Sequence, residues 1–142
     1  MLKSQIYSSR RKALRELMGN GIAFLPGNTE APINYPANTY HFRQDSNFLY
    51  FFGLNQADLV GMIDLDKGID ILFGDEPSID DIIWMGTQPS MKERASLVDV
   101  SDTRSLSQLS TYLSDAIRAG RKIHYVPPYR AETAHWISVL LG

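Results

Sequence analysis

Apolar residues near the start of the chain are spaced as in a helix, and a short apolar run follows them. Over residues 4–18 they recur at steps close to a helical turn, at Ile6, Leu14, Leu17 and Met18. The glycines that follow end this pattern. The run Ile22–Leu25 predicts a buried strand. Residues 28–38 are predicted to form a loop, because Pro32 and Pro36 lack backbone donors.

The densest aromatic segment of the chain runs from Tyr40 to Leu54 and is predicted to anchor the core. Either Asp45 or Ser46 can cap a short helix here, and Gly53 supplies the left-handed residue with which helices often end. Aromatic runs also favour strands. The residue pattern alone therefore leaves both a helix and a strand open for this segment.

Two apolar runs in the middle of the chain predict a hairpin. They are Leu59–Asp64 and Ile69–Phe73, and the turn-forming Asp66-Lys67-Gly68 lies between them. An acidic stretch at 75–80 is predicted to be a loop. The run 82–85 then returns to apolar character, and we expect it to end a strand or a loop.

The last third of the chain alternates between helical and strand-like patterns. The predicted elements are a helix whose first turn holds Pro89 and which runs to about Ser96, a strand at 97–100, a helix at 105–119, a strand at 122–126 and a helix at 129–140. Such alternation, with one hairpin among the strands, predicts an α/β domain. We expect a mixed sheet with helices on both faces.

Composition narrows the class of protein. A chain of 142 residues with 44% hydrophobic residues and a net charge of −2 suits one globular domain. It has no cysteine, which excludes disulfides and fits a reducing cytoplasm. Neither a membrane nor a nucleic acid is an expected partner, because long apolar stretches and clustered basic residues are missing. The one basic run, Arg10-Arg11-Lys12, is predicted to be a solvated helix face.

The aromatic segment and two later segments resemble the amino-terminal domain of Xaa-Pro aminopeptidases (aminopeptidase P), which are relatives of prolidase and creatinase. The later segments are Ile71-Leu72-Phe73 and Asp81–Gly86. The residues that match the family pattern are Arg43, Gln44, Asp45, Ser46, Asn47, Phe48, Tyr50, Gly53, Trp84 and Gly86. The resemblance implies a creatinase/prolidase-type sheet of five or six strands. It also implies that residues 1–142 form the amino-terminal domain of a two-domain peptidase.

The resemblance places the chemistry outside this chain. In the family, a second "pita-bread" domain hydrolyses the bond between a first residue and a following proline, with two metal ions, usually manganese, that activate a bridging water. The metal ligands of that domain are two Asp, one His and two Glu, and the resemblance places none of them among residues 1–142. The chain alone is therefore expected to be inactive. Its expected partners are its own catalytic domain, further copies of the protein and a peptide with proline in second place.

Three residues are candidates for substrate access or a subunit interface: Trp84, Arg43 and Tyr40. In oligomeric relatives the tryptophan that matches Trp84 reaches toward a neighbouring subunit's active site. The residues alone also allow Trp84 to be a core or rim aromatic. The guanidinium of Arg43 can bond loop carbonyls or Asp45, or serve a domain interface.

Other chemistry has little support in the sequence. His41, His124 and His135 match no metal-ligand spacing. The carboxylate pairs are predicted to be solvated turn residues, at Asp64/Asp66, Asp75/Glu76 and Asp80/Asp81. Two other functions stay open: a Xaa-Pro dipeptidase (prolidase) domain, and a binding module that has this fold without hydrolysis.

Overall fold

A computed structural model describes residues 2–29, 42–127 and 131–142, and the backbone of 32–35 and 38–39. The helices are α1 (Lys3–Met18), α2 (Ser46–Phe52), α3 (Ile79–Met85), α4 (Met91–Ser96), α5 (Leu109–Arg118) and α6 (Ala131–Leu141), with a 3₁₀ turn at Leu106–Gln108. The strands are β1 (Ile22–Pro26), β2 (Pro32–Tyr35), β3 (Asn38–Thr39), β4 (Val60–Asp64), β5 (Ile69–Phe73), β6 (Asp102–Arg104) and β7 (Ile123–His124).

Among the described residues, five strands form one mixed sheet in the order β6-β5-β4-β1-β7. The three central strands are antiparallel, and β4 and β5 form the predicted hairpin with Asp64 opposite Ile69. The edge strands β6 and β7 each run parallel to their neighbour. The prediction of a mixed sheet is therefore confirmed.

Side chains of the central strands alternate between two cores, one on each face of the sheet. On one face Ala23, Ile63 and Leu72 pack with α1, α2 and α4. On the other face the apolar side chains of the same strands pack with α5 and α6, as Phe24, Met62 and Ile71. This arrangement confirms the prediction that helices cover both faces of the sheet.

The aromatic segment forms a helix, α2, which decides between the two structures that its pattern allowed. The Asp45 carboxylate accepts the Phe48 N–H at 2.9 Å and caps its start. Gly53 ends it with φ 60°, and its N–H donates to the Leu49 carbonyl at 2.9 Å. The rings of Phe48 and Phe52 are fully buried and lie 5.5 Å apart, so α2 anchors the core as predicted.

The predictions for residues 28–38 and 97–100 are wrong. Part of the predicted loop 28–38 forms β2 and β3, a small antiparallel pair. Pro32 is the first residue of its strand, a position where a missing N–H is tolerated. The strand predicted at 97–100 is a turn after α4, and Asp99 has a left-handed φ of 60°. Its buried valines mimic the alternation of a strand, whereas the strand itself is β6.

Smaller corrections concern where elements begin and end. Ser90 caps α4, so Pro89 lies before the helix and not in its first turn. The strand predicted at 122–126 is limited to β7, because only its two residues pair with β1. Tyr125 and Val126 after it are about half exposed.

The basic run in α1 is not a solvated face throughout, because Arg11 is fully buried. Its guanidinium donates to the Asp70 carboxylate at 2.8 Å. It also donates to three carbonyls, of Phe51 at 2.8 Å, Val98 at 2.7 Å and Asp99 at 3.1 Å. Arg11 therefore connects α1 to the end of α2, to β5 and to the turn after α4.

Candidate functional site

The helix α3 holds the predicted site residue Trp84 and exposes its large apolar side chains. Trp84 lies in it with 85% of its surface exposed, which excludes a core position for the indole in this domain. The other apolar side chains of α3 are also exposed, at Ile79, Ile82, Ile83 and Met85. The apolar run thus forms a helix, and the prediction of a strand or loop end is wrong. No residue of α3 is buried.

Local hydrogen bonds hold α3 together in place of core packing. The Ser78 hydroxyl accepts the Asp81 N–H at 3.0 Å, and the Asp81 carboxylate accepts the Ser78 N–H at 2.9 Å. Hydrogen bonds to the Asp81 carboxylate, first from the Ser78 N–H and then from the Ser78 side chain, lower the pKa of Asp81. This capping box could have been recognised in the sequence as Ser-x-x-Asp before an apolar run. At the other end Gly86 donates to the Ile82 carbonyl at 2.9 Å.

Hydrogen bonds beside α3 attach the loop before it to the 3₁₀ turn at Leu106–Gln108 and to α4. The Asp75 carboxylate accepts the Leu106 N–H at 3.0 Å, and the Glu76 carboxylate accepts the Met91 N–H at 2.7 Å. Asp75 and Glu76 lie just before α3, and Met91 begins the helix after it. The predicted acidic loop therefore holds the base of a projecting helix, and its carboxylates cap neighbouring N–H groups.

The cluster around Arg43 is anchored by its neighbour Gln44. Gln44 is 4% exposed and accepts the Asn28 N–H at 2.8 Å. Its amide donates to the carbonyls of Leu54 at 2.9 Å and Gln56 at 2.8 Å. Arg43 itself is exposed, and its carbonyl accepts the Asn28 side chain at 3.0 Å. Gln44 therefore bonds the loop carbonyls beside Arg43, and a role of Arg43 at an interface stays a prediction.

Replacing Gln44 with alanine should lower the free energy of unfolding by about 2 kcal/mol, because several buried backbone groups would lose their partner. Urea denaturation at neutral pH measures this loss. Gln56→Ala is the matched control, since that side chain is exposed and its carbonyl stays in place. A Gln44 variant as stable as the control would show that the loop does not depend on these bonds.

The structure describes two of the remaining sequence candidates, His124 and His135. Tyr40 and His41 lie outside the described residues. His124 bonds the Asn20 carbonyl at 2.9 Å, and His135 is exposed on α6. Within residues 2–29, 42–127 and 131–142, no three His, Asp or Glu side chains are grouped as metal ligands.

One carboxylate predicted to be solvated, Asp64, is fully buried at the end of β4. It accepts hydrogen bonds from the Tyr112 hydroxyl, from Arg121 and from the Lys67 N–H at 3.0 Å. Burial alone would raise the pKa of Asp64, but these partners lower it below its ordinary value. Burial and the bond to Asp64 raise the pKa of Tyr112 to about 12. Asp64 therefore links the hairpin to α5 and to the segment before β7.

The lowered pKa of Asp64 predicts acid sensitivity. The stability that its charged form contributes is present above the ordinary Asp pKa of about 3.9 and is lost as the pH falls through the lowered value. Asp64→Asn should cost about 1 to 2 kcal/mol of unfolding free energy at neutral pH and should flatten its decline below about pH 4. Denaturation at several pH values measures both effects. Asp115→Asn, at an exposed ion pair, should leave the profile unchanged.

Similarity to known proteins agrees with the fold. The model of the family "Aminopeptidase P, N-terminal domain" matches residues 7–125. The mitochondrial intermediate cleaving peptidase 55 of Arabidopsis thaliana is 28% identical over 127 residues, which are 87% of this chain and 25% of that protein. A probable Xaa-Pro aminopeptidase pepP of Metarhizium robertsii is 30% identical over 95 residues, 67% of this chain and 21% of that protein.

A solved structure shows the same fold. Zinc-substituted aminopeptidase P of Escherichia coli in complex with product has a TM-score of 0.79 and 22% identity, over 99% of this chain and 32% of its own. The chain thus spans a quarter or less of the length of these relatives and a third of the solved protein. Because the family model covers most of its residues, the chain belongs to the family of aminopeptidase P amino-terminal domains.

Proposed function

We propose that this chain is the non-catalytic amino-terminal domain of a cytoplasmic Xaa-Pro aminopeptidase, in which α3 narrows access to the substrate groove and supports oligomer assembly. The observation that carries the proposal is the exposure of Trp84 at the end of a helix without a buried residue. Large apolar side chains that project together usually mark an interaction site. Tryptophan is also the residue type most enriched where interfaces derive their binding energy.

The hydrogen bonds of α3 suit it to this role. Its capping box and the anchored loop at its base form within the domain itself. A helix that is already ordered loses little conformational freedom when it docks, and this favours binding. Trp84 can then wall the groove of a neighbouring subunit and restrict it to unfolded peptide ends. Arg43 and Tyr40 remain proposed contributors to the same interface.

The catalytic step belongs to the remainder of the complete protein in this proposal. The described residues offer no grouped set of His, Asp and Glu ligands, so they do not fit a dinuclear metal centre. The carboxylates near α3 accept backbone N–H groups. Two manganese ions are proposed for the second domain, where such ions supply an activated water.

Other assignments receive less support. A prolidase would share this domain, but the relatives include a protein named as a Xaa-Pro aminopeptidase. Peptidase names also favour hydrolysis over a pure binding module. In the part of the chain that the structure describes, no helix has the length and apolar character to cross a bilayer. Cytoplasmic location stays a proposal beside a relative named as mitochondrial.

Hydrolysis by the complete protein tests the proposal. We expect manganese-dependent release of the first residue from peptides with proline in second place, and no release by residues 1–142 alone. Activity should require a free amino terminus and extend to peptides longer than two residues. Cleavage of dipeptides only would favour the prolidase alternative. A complete protein that binds such peptides without cleaving them would favour the binding module.

A further inference from the structure

The last helix, α6, carries almost no charge. Glu132 and His135 are its ionisable residues, since the helix reads Ala-Glu-Thr-Ala-His-Trp-Ile-Ser-Val-Leu-Leu. Ile137 is 3% exposed and packs into the core with α5. On the outer side Val139 is 68% exposed and Trp136 is 38% exposed. Helix faces that meet solvent normally carry many charged residues, so an outer face with so few ionisable side chains indicates a second packing partner.

A hollow of about 350 Å³ continues this surface at the amino-terminal half of α6. Most of its wall is apolar and includes Leu59, Val60 and Leu106, with Trp136 on the side of α6, while Asp58 and Glu132 also line it. The Trp136 ring lies 6.0 Å from the ring of Phe24 in the core, which holds it at the edge of the hollow. Such a hollow can receive an apolar side chain as an anchor at the centre of an interface.

We infer that the outer face of α6 and this hollow form the surface on which the second domain of the complete protein packs. The inference rests on the proposed function, in which this domain is joined to a catalytic domain. The relatives are at least about four times as long as the aligned part, so most of such a protein lies outside this structure. Interfaces that stay covered are more apolar than transient ones. The partner that is always present is the rest of the same polypeptide, at a high effective concentration.

The two exposed surfaces, on α3 and on α6, differ in charge, and this indicates that they bind different partners. The helix α3 has Asp80 and Asp81 in its first turn, which suits a surface that meets solvent before a subunit docks. On α6 the exposed positions after Glu132 are Ala134, His135, Trp136, Ser138 and Val139. A permanently covered domain contact therefore fits α6 better than α3.

Thiol labelling of the complete protein tests this inference, because this domain has no cysteine of its own. Val139→Cys and Ser138→Cys are labelled with a maleimide and located by peptide mass spectrometry. The labelling rate of each cysteine in the folded protein is compared with the labelling rate of the same cysteine in urea. Lys67→Cys, at the exposed hairpin turn, is the control. We expect both α6 sites to react about 10-fold or more slowly in the folded protein, and the control to change little.

The outcomes distinguish this inference from the proposed function. If Val139→Cys and Ser138→Cys react as fast as Lys67→Cys in a protein that cleaves Xaa-Pro peptides, the α6 inference alone is wrong. Protection that disappears on dilution to monomers would assign the surface to a second copy and would also overturn it. A complete protein without a second domain would remove the proposed function itself.

Discussion

Arg11→Ala is expected to lower the free energy of unfolding by about 3 to 4 kcal/mol, more than Gln44→Ala or Asp64→Asn. The reason is the position of the guanidinium, which is fully buried and joins segments far apart in the sequence. Without it, the carbonyls of Phe51, Val98 and Asp99 would lose a donor in the interior. Asp70 would keep its bond to Arg15 at 2.7 Å, so the loss comes mainly from these carbonyls.

Urea denaturation of the variant and two comparisons test this expectation. Lys12→Ala is the matched control, since Lys12 is the next residue of the same helix and is exposed. Arg11→Lys should fall between the two, because an ammonium group keeps the charge but cannot reach several acceptors with a planar fork. If Arg11→Ala and Lys12→Ala are equally stable, the buried guanidinium does not hold these segments together.

Under the proposed function, Trp84→Ala in the complete protein is expected to lower kcat/KM by about 10- to 100-fold on Xaa-Pro peptides, as the loss of a central aromatic contact does. The indole is exposed in the isolated domain, so its removal should leave the stability of this domain unchanged. A loss of activity with an unchanged melting temperature would therefore show that Trp84 acts at the substrate groove and not through the stability of the domain. The effect should differ between long and short peptides, because a groove wall contacts the residues beyond the proline.

Leu17→Ala is the matched control for Trp84, since Leu17 is also 85% exposed but lies on α1. It should leave kcat/KM and the oligomeric state unchanged. Trp84→Phe should retain part of the activity, because a smaller ring keeps some of the wall. Unchanged kinetics of Trp84→Ala on both long and short peptides would remove the proposed role of α3.

Elements that depend on neighbouring residues could be predicted from the sequence. The cap by Asp45 and the left-handed Gly53 define α2 within a few residues. The hairpin of β4 and β5 likewise follows from two apolar runs around a tight turn. Local chemistry is sufficient for the hairpin, whereas for α2 it identifies the candidate cap and the ending glycine and leaves a strand open.

Features that depend on distant partners could not be predicted in this way. The acceptors that surround the buried Arg11 lie 40 to 88 residues away in the sequence. Helical periodicity within α1 carries no information about them. Asp64 was expected to be solvated for the same reason, since Tyr112 and Arg121 reach it from another part of the chain. The sequence indicates Trp84 as a candidate site residue. Its exposure could not be predicted, because it depends on how α3 lies relative to the sheet.

Mixed oligomers provide the most direct test of the role of Trp84 at a neighbouring subunit. Subunits with Trp84→Ala and an intact metal centre are mixed with subunits that keep Trp84 but lack the metal ligands. Each parent oligomer is expected to be weakly active or inactive. If Trp84 walls the groove of a neighbour, the mixture should regain activity on Xaa-Pro peptides, because intact sites then receive an intact Trp84. Activity that stays at the average of the two parents, in oligomers shown to have exchanged subunits, would contradict this role.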